Sequence, residues 1–324
     1  MLTINIQSTG STKEFSTPNY DIVGDIHGYC DAFKRLLVKL GYEKLDGVWQ
    51  HPTRTLISVG DLIDRGPGQV EIVDILRDMQ QAGKAIVLLG NHELYAIAWY
   101  EMDEEGTPMR PHSPKNLKEH QAFLEQSSYS NDWYLSTIAW LKTLPLFYEN
   151  DYFRCVHAAW HDTHIAKLKE LADDNNAISS KVWEQPKRVS MDFFKAIEYC
   201  LNGPKIRLPE GCSFTDSAGR KRSKMRVKWW GFTQMPTYRN TCISVPDPSE
   251  LPDQAIDIAH QPKVDFKKPI FFGHYWMQGQ PVLMNNKVAC LDWSVVQKDG
   301  VLAAYRYSGE SDLKPENLVW VPHK

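Results

Sequence analysis

The chain lacks a strong charge of either sign, a long apolar run and closely paired cysteines. Its formal net charge is −3, which gives it no overall attraction to nucleic acid or to an anionic membrane. No apolar run approaches the roughly 20 residues that a membrane-spanning helix needs. The opening MLTINIQSTGSTKEF also lacks the charged-then-apolar layout of a signal peptide. These absences speak against a membrane protein or a secreted one.

The six cysteines are scattered, and no two of them form a C-x-x-C pair. Cys30, Cys155 and Cys290 lie in or beside apolar segments, which is typical of small core residues in a reducing compartment. We therefore expect a cytoplasmic protein.

The composition is that of an ordinary globular protein, with 42% hydrophobic and 24% charged residues among 324. Short apolar runs at residues 20–23, 55–59 and 85–89 predict strands, and each run is followed by a glycine. Helical spacing of apolar side chains predicts helices over residues 31–40 and 69–81. This alternation indicates an α/β fold, in which ligands gather at the carboxyl ends of the strands.

The pattern changes in the second part of the chain. Helices are predicted at residues 116–127 and 132–144, and a buried strand at 152–156. The long segment at about 160–265 has mixed character and reads as an insertion. Strand patterns return near the end of the chain, at residues 270–272, 288–291 and 301–307.

Six polar residues follow the ends of five successive predicted strands. Any one of them could be a simple turn or capping residue, but six together favour a metal site. Carboxylate, imidazole and amide donors suit two divalent cations that share one carboxylate. The six residues are Asp25, His27, Asp61, Asn91, His157 and His274. We expect the first metal to bind Asp25, His27 and Asp61, and the second to bind Asp61, Asn91, His157 and His274.

Three motifs carry a resemblance to a known family. They are D-x-H-G at 25–28, G-D-x-x-D-R-G at 60–66 and G-N-H-E at 90–93. With them the chain resembles the calcineurin-like metallophosphoesterases, and specifically their phosphoprotein phosphatase branch. Within that branch, GDIHGYCDAFKRLLVKLGY and the ending FFGHYW, ACLDWSV and LAAYRY are similar to bacterial symmetrical diadenosine tetraphosphatases and related small serine/threonine phosphatases.

The resemblance implies a fold and an activity. The fold would be an α/β/β/α sandwich with mixed sheets, a single domain over residues 1–324 whose cleft is capped by the 160–265 insertion. The activity would be hydrolysis of phosphoric ester or anhydride bonds by a hydroxide held between two metals, with Mn²⁺ favoured over Fe, Zn²⁺, Co²⁺ or Ni²⁺. We expect a nucleotide substrate similar to diadenosine tetraphosphate. A serine/threonine phosphoprotein phosphatase is the alternative, and a non-catalytic metal- or nucleic-acid-binding module is less expected.

Three further residues receive catalytic roles from this resemblance. His92, positioned by Asp64, would protonate the leaving oxygen, and Arg65 would bind the phosphoryl oxygens through its planar fork. The alternative for Asp64 and Arg65 is an ion pair with each other at the surface.

Two departures from the family pattern affect the expected substrate. No second histidine follows His274 in the segment Gly-His-Tyr-Trp, which weakens a nuclease or cyclic-nucleotide phosphodiesterase interpretation. Trp160 stands where the family usually has a smaller residue, and we expect it to lie at the edge of the site and to narrow or redirect the substrate groove.

The insertion contains a basic stretch at 219–228 that is followed directly by Trp229 and Trp230. Such a stretch could hold a polyphosphate and stack a nucleobase, so nucleic-acid contact through residues 219–230 is one interpretation. The other, slightly preferred, is a solvated hairpin whose tryptophans lie in the insertion's own core. Candidates for a further phosphate contact are Arg188, Arg226 and Arg239.

Overall fold

The computed structural model describes residues 19–216, 219–257 and 262–324, without the side chain of Arg188. Its helices are α1 (Cys30–Leu40), α2 (Gln69–Gln81), α3 (Asn91–Tyr100), α4 (Pro114–Ser127), α5 (Asn131–Leu141), α6 (Asp162–Lys169), α7 (Ser180–Glu184), α8 (Met191–Asn202) and α9 (Tyr238–Thr241). Its strands are β1 (Tyr20–Val23), β2 (Glu43–Leu45), β3 (Val48–Gln50), β4 (Thr55–Ser58), β5 (Ala85–Val87), β6 (Phe147–Glu149), β7 (Arg154–Val156), β8 (Lys205–Arg207), β9 (Phe214–Thr215), β10 (Lys221–Arg222), β11 (Lys224–Val227), β12 (Cys242–Ile243), β13 (Ile270–Phe272), β14 (Val288–Cys290), β15 (Asp292–Trp293), β16 (Val301–Tyr307) and β17 (Leu318–Pro322).

Two mixed sheets form the centre of the fold. The first has the order β15-β16-β1-β4-β5, with β17 also paired to β16. In it β1, β4 and β5 are parallel neighbours, whereas β16 runs antiparallel to β1. The second sheet has the order β14-β13-β7-β6, with β13 parallel to both β7 and β14. The parallel strands bring their carboxyl ends to one edge of each sheet.

The two sheets pack face to face around a shared apolar core. Ile22 and Ile57 from the first sheet meet Phe153 and Phe271 from the segments of the second. Because side chains alternate along a strand, Val23 points to the opposite face, where it packs with the buried side of α1 and α2. The outer face of the second sheet packs in the same way against α6 and α8. The predicted α/β class and α/β/β/α sandwich are therefore confirmed.

Several observed strands are shorter than the apolar runs that predicted them. β4 ends at Ser58 and β5 at Val87, although the apolar runs continue to Val59 and Leu89. The extra residues are still buried, and they carry the chain into the loops that end in Asp61 and Asn91. The apolar run therefore extends over all the buried residues, whereas the strand extends only over the residues that form hydrogen bonds with a neighbouring strand.

The region after β7 is not uniform. A separate small core contains side chains of β8, β9 and β11, and the three-stranded sheet β12-β11-β8 belongs to it. The helices α6 and α8 instead contribute to the main core. The division of the chain at 160 and 265 stays a prediction. Within the described residues, no helix is long and apolar enough to cross a membrane.

Candidate metal centre

The six predicted ligands come together at the strand ends. Asp61 is central: its Oδ1 lies 3.4 Å from His157 Nε2, and its Oδ2 lies 3.6 Å from His27 Nε2. Asn91 Oδ1 lies 3.0 Å from His157 Nε2 and 2.9 Å from His274 Nδ1. All six are buried, with exposed fractions between 0% and 5% for Asp25, His27, Asp61, Asn91, His157 and His274.

Two groups of three donors lie close enough together to hold a cation each. One group contains His27, Asp61 and His92, and the other contains Asp61, His157 and His274, with all donor atoms of a group within 4.8 Å of one another. Asp61 belongs to both groups. This is the arrangement in which one carboxylate bridges two metals.

Asp25 belongs to neither group of three but lies directly beside them. Its Oδ2 accepts the backbone N–H of His274 at 3.0 Å. Gly273 makes this approach possible, because a Cβ at that position would lie 1.9 Å from Asp25 Oδ1. Burial and the nearby carboxylates of Asp292 and Asp61 hold the pKa of Asp25 well above its usual range. The neighbouring side chains of the protein therefore do not balance the negative charge of Asp25, Asp61 and Asp292.

Backbone strain is concentrated in the loops that carry these side chains. His27, Asp61 and His274 have φ angles of 47°, 52° and 74°, and Asp64 and Arg65 have 67° and 79°. Residues with a Cβ adopt this left-handed conformation rarely, and it persists where the surrounding structure enforces it. The left-handed conformation thus occurs at three predicted ligands and at two predicted catalytic residues.

Glu93 holds this loop in place, and the sequence analysis did not single it out. Its carboxylate accepts the backbone N–H groups of Asp61, Leu62 and Gly90 at 2.8, 2.8 and 2.9 Å. Burial and the negative charge of Asp61 raise the pKa of Glu93 to about 7. The signal in the sequence that could have identified Glu93 is its position as the last residue of the G-N-H-E motif.

Two imidazoles offer nitrogen atoms that nothing in the described residues uses. His27 Nδ1 donates to the carbonyl of Ile63 at 3.0 Å, and the buried Nε2 has no hydrogen-bond partner among the described residues. His274 Nε2 is likewise buried without a partner among the described residues. Burial lowers the pKa of His27 to about 3, and burial together with Arg226 holds the pKa of His274 well below its usual range. Both rings are therefore neutral and available as metal ligands.

The charge on Asp61 also suits a bridging role. Burial alone would raise its pKa, but the imidazoles of His157, His92 and His27 outweigh burial and hold it well below the usual range. An ionised carboxylate, neutral imidazoles and an amide oxygen form a donor set that fits Mn²⁺, Fe, Zn²⁺, Co²⁺ or Ni²⁺. The residues present therefore fit two divalent cations.

A buried chain of three side chains lies next to the ligands. His92 Nδ1 is 2.5 Å from Asp64 Oδ2, and His120 Nδ1 is 2.9 Å from Asp64 Oδ1. Asp64 is fully buried, and its two oxygens are occupied by imidazoles, so the alternative of a surface ion pair with Arg65 is wrong. Against the effect of burial, the negative charge of Asp61 and the contact with Asp64 raise the pKa of His92, and the contacts with His120 and His92 lower that of Asp64. His120 comes from α4, where no local pattern marked it.

Arg65 is exposed at the edge of the site and rests on an aromatic ring. Its guanidinium lies 4.4 Å from the centre of the Trp276 ring, and its Nη2 lies 3.5 Å from His92 Nε2. The backbone N–H of Trp276 donates to Asp292 Oδ2 at 2.7 Å. Trp276 and Asp292 are two further residues that sequence reasoning missed.

The family model of the calcineurin-like phosphoesterases matches residues 19–219. The chain belongs to this family. The predicted family is therefore confirmed, and the family is one that uses two metal ions, in agreement with the donor groups around Asp61.

Curated relatives of this phosphoesterase share a short region with it. It is 43% identical over 74 residues to the bis(5'-nucleosyl)-tetraphosphatase PrpE [asymmetrical] of Halalkalibacterium halodurans, and 46% identical over 74 residues to the protein of the same name from Anoxybacillus flavithermus. Each match covers 22% of this chain and 30% of the relative. The chain thus spans under a third of the length of these relatives.

Solved structures with the same fold include two kinds of phosphatase. A cold-active protein-tyrosine phosphatase from a psychrophilic Shewanella species is 17% identical, with a TM-score of 0.51 and coverage of 92% of this chain and 81% of that one. A protein serine/threonine phosphatase from Saccharomyces cerevisiae is 14% identical, with a TM-score of 0.50 and coverage of 95% and 80%. At such identity, these likenesses show the fold alone.

The expectation that Trp160 narrows the groove of this phosphoesterase is wrong. The Trp160 side chain is 1% exposed, its Nε1 donates to Asp162 at 2.9 Å, and its ring packs edge-on against Phe147. An indole that follows a strand can point either into the site or into the core beneath the sheet, and the indole of Trp160 lies in the core. The aromatic ring at the edge of the site is Trp276.

Both interpretations place the indoles of Trp229 and Trp230 incorrectly. The two side chains are 1% and 8% exposed, so they present no face to a nucleobase. They also lie outside the insertion's own core, because they pack in the main core against Phe272. Trp229 Nε1 donates to the carbonyl of Ala158 at 3.0 Å, which connects the segment after β11 to the segment after β7. The basic residues of β10 are exposed, as the hairpin interpretation expects.

Of the two candidate arginines whose side chains the structure describes, Arg226 is the one whose charge affects a predicted metal ligand. It is half-buried on β11, and its positive charge is, after burial, the largest cause of the low pKa of His274. Arg239 instead donates to the carbonyl of Leu251 at 2.9 Å. The side chain of Arg188 lies outside the described part of the structure.

Proposed function

We propose that this chain is a hydrolase of phosphoric ester or anhydride bonds that works with two divalent cations. The observation that carries the proposal is the position of Asp61, which belongs to both groups of potential ligands. A single cation would leave one of these groups without a purpose, whereas two cations use both. Each group also contains one buried imidazole, His27 or His274, whose Nε2 atom has no hydrogen-bond partner among the described residues.

The ligands that we propose are the six residues expected from the sequence, with Asp25 in place of the His92 that belongs to the first group of donors. One cation is held by Asp25, His27 and Asp61, and the other by Asp61, Asn91, His157 and His274. When bound, the cations supply positive charge to the phosphoryl oxygens and lower the pKa of water. We favour Mn²⁺, because a mixed set of carboxylate, amide and imidazole donors suits it well.

The remaining residues bind the substrate and move a proton. Arg65 binds phosphoryl oxygens with its planar guanidinium, and Arg226 does the same on the side of His274. His92, held by Asp64, protonates the leaving oxygen through Nε2, because its Nδ1 is already occupied. The negative charge of Asp61 and the contact with Asp64 also raise the pKa of His92, which favours the protonated ring that a general acid needs.

We propose a nucleotide with a polyphosphate chain, similar to diadenosine tetraphosphate, as the substrate. Two observations support this choice. The curated relatives are named bis(5'-nucleosyl)-tetraphosphatases, although the chain covers only 30% of each. Arg65 contacts His92, which belongs to one ligand group, and the charge of Arg226 lowers the pKa of His274, which belongs to the other. A substrate that spans both groups would therefore meet one arginine at each end.

We place the enzyme in the cytoplasm, because all six cysteines are free and five of them are buried. We do not extend the proposal to nucleic-acid binding by residues 219–230, because both tryptophans of that stretch are buried.

The substrate proposal is tested with chelator-stripped protein reloaded with Mn²⁺ and offered two substrates in parallel. We expect cleavage of diadenosine tetraphosphate, with the nucleotide products separated by anion-exchange chromatography, and little phosphate from a phosphoserine peptide. ADP as the sole product would show symmetrical cleavage, and ATP with AMP would show asymmetrical cleavage. Phosphate release from the peptide with intact dinucleotide would contradict the nucleotide proposal and favour the serine/threonine phosphatase.

A further inference from the structure

A cavity of about 590 Å³ lies beside α3, which contributes Leu94, Tyr95 and Ala98 to its wall. It is enclosed by α3, by the segment that follows this helix, and by α7 and α8. Its walls are mostly apolar, and Met191 and Phe194 at its rim are 69% and 37% exposed. Cavities of roughly 300–1,000 Å³ with apolar walls and a few polar groups are typical of small-molecule sites.

One wall of the cavity contains a buried arginine with a free donor. Arg110 is 9% exposed, its Nη2 donates to Glu119 at 2.7 Å, and its guanidinium lies 4.2 Å from the centre of the Tyr95 ring. Its buried Nη1 has no hydrogen-bond partner among the described residues. A buried charged donor without an acceptor is unfavourable, which points to an acceptor supplied from outside the chain.

A second residue that lines the cavity also has a donor without a partner. The Nε1 atom of Trp183 on α7 is buried, and no acceptor for it exists in the described part of the chain. Buried indole N–H groups normally find an acceptor. The two unpaired atoms are both donors, so the missing partner is an acceptor and not a cation.

We propose that this cavity binds a small amphipathic carboxylic acid. The apolar chain or ring of the ligand occupies the space between α3 and α8, and its carboxylate accepts from Arg110 Nη1, with Trp183 Nε1 as the second donor. A carboxylate is the acceptor that fits best, because it pairs with a guanidinium through a charge-assisted hydrogen bond. A neutral apolar molecule would leave both donors unpaired, and so would a cation, which offers no acceptor.

The site is separate from the proposed chemistry. The cavity meets α3 through Leu94, Tyr95 and Ala98, whereas the ligand Asn91 and the proposed acid His92 occupy the first turn of the same helix. Binding can therefore be measured on metal-free protein, and its outcome does not depend on the hydrolase proposal.

The test is isothermal titration of the full chain with decanoate, beside decyltrimethylammonium as a ligand of similar chain and opposite charge. We expect saturable binding of one decanoate per chain and none of the cation. Ala98→Phe, which places a ring in the cavity, should abolish binding. Arg110→Met should weaken it at least about tenfold, since a hydrogen bond to a charged group is lost.

Trp183→Phe keeps the ring and removes only the second donor, so it should weaken decanoate binding about two- to tenfold. Trp140→Phe is its matched control, because Trp140 Nε1 already donates to Gln80 at 2.8 Å and does not line the cavity. If Arg110→Met fails to fold, Ala98→Phe and Trp183→Phe decide. No saturable binding of decanoate to the wild-type chain, equal binding of both ligands, or undiminished binding to Ala98→Phe would overturn the proposal.

Discussion

The guanidinium of Arg65 lies 4.4 Å above the ring of Trp276, which places the proposed phosphate-binding arginine on an aromatic support. Arg65 is exposed and has no ion pair with a carboxylate among the described residues. An arginine without such support would lose side-chain entropy each time it binds an anion. The Trp276 ring reduces this cost by holding the guanidinium near His92 before the substrate arrives.

Replacing Trp276 by leucine should therefore weaken phosphate binding without removing the metals. A cation–π contact of an exposed arginine is worth about 0.5–1 kcal/mol, which corresponds to a two- to fivefold higher inhibition constant for inorganic phosphate. Trp276→Phe keeps a ring and should change the constant less. Equal inhibition constants for the wild type and Trp276→Leu would show that the contact does not position Arg65.

His120 should act as a positioning residue through Asp64. His120→Leu leaves one oxygen of a buried carboxylate unpaired, so we expect kcat to fall about tenfold while KM stays within about twofold. His120→Asn can still present an N–H close to the position of Nδ1, and it should recover much of the loss. A purely structural role would lower the yield of folded protein for both variants alike and would not separate their kcat values.

His92→Asn should show a loss of activity that depends on the leaving group. General acid catalysis contributes roughly 10²–10⁴-fold, but least where the leaving oxygen is already a weak base. We therefore expect a larger loss for phenyl phosphate than for p-nitrophenyl phosphate, at unchanged metal content. A loss of equal size for both esters would argue against proton donation by His92.

His161 should make the folded state sensitive to mild acid. Burial, and then the neighbouring His164, lower the pKa of His161 to about 4. The folded state therefore takes up this proton less readily than the unfolded state, whose histidine has a pKa of about 6.5. The stability contributed by neutral His161 is complete above about pH 6.5 and is lost as the pH falls toward about 4.

The check is urea unfolding of the wild type and His161→Gln at about pH 8 and about pH 5. The wild type should lose more stability between these two values than the variant. The exposed His112→Gln serves as the control and should behave as the wild type does. A variant with the same pH dependence as the wild type would assign the acid sensitivity to other groups.

The parts of the site that were predictable from the sequence are those with a local signal. Asp61 and Asn91 each follow a strand-forming run and a glycine, so their position at a strand end can be read directly. A Cβ on Gly60 would lie 2.5 Å from the backbone nitrogen of Gly90, so these two loops depend on glycine for their close contact. A residue larger than glycine at position 60 would push these two loops apart.

The parts that were not predictable depend on residues distant in the chain. His120 reaches Asp64 from 56 residues away, and Arg226 acts on His274 from another sheet. The local sequence does not show whether an indole lies in the core or at the site for Trp160, Trp229 or Trp276. Only the packing of α6, α8 and the second sheet decides which indoles are buried.

The bridging role of Asp61 is the central claim, and one measurement tests it most directly. Chelator-stripped wild type and Asp61→Asn are titrated with Mn²⁺, and bound metal and p-nitrophenyl phosphate hydrolysis are followed together. Asparagine preserves the shape of the side chain and removes its charge. We expect two Mn²⁺ per chain and restored activity in the wild type, with lost metal and at least about a hundredfold lower activity in the variant. A variant that binds two Mn²⁺ and hydrolyses the ester at the wild-type rate would contradict the account, as would a wild type that binds a single ion.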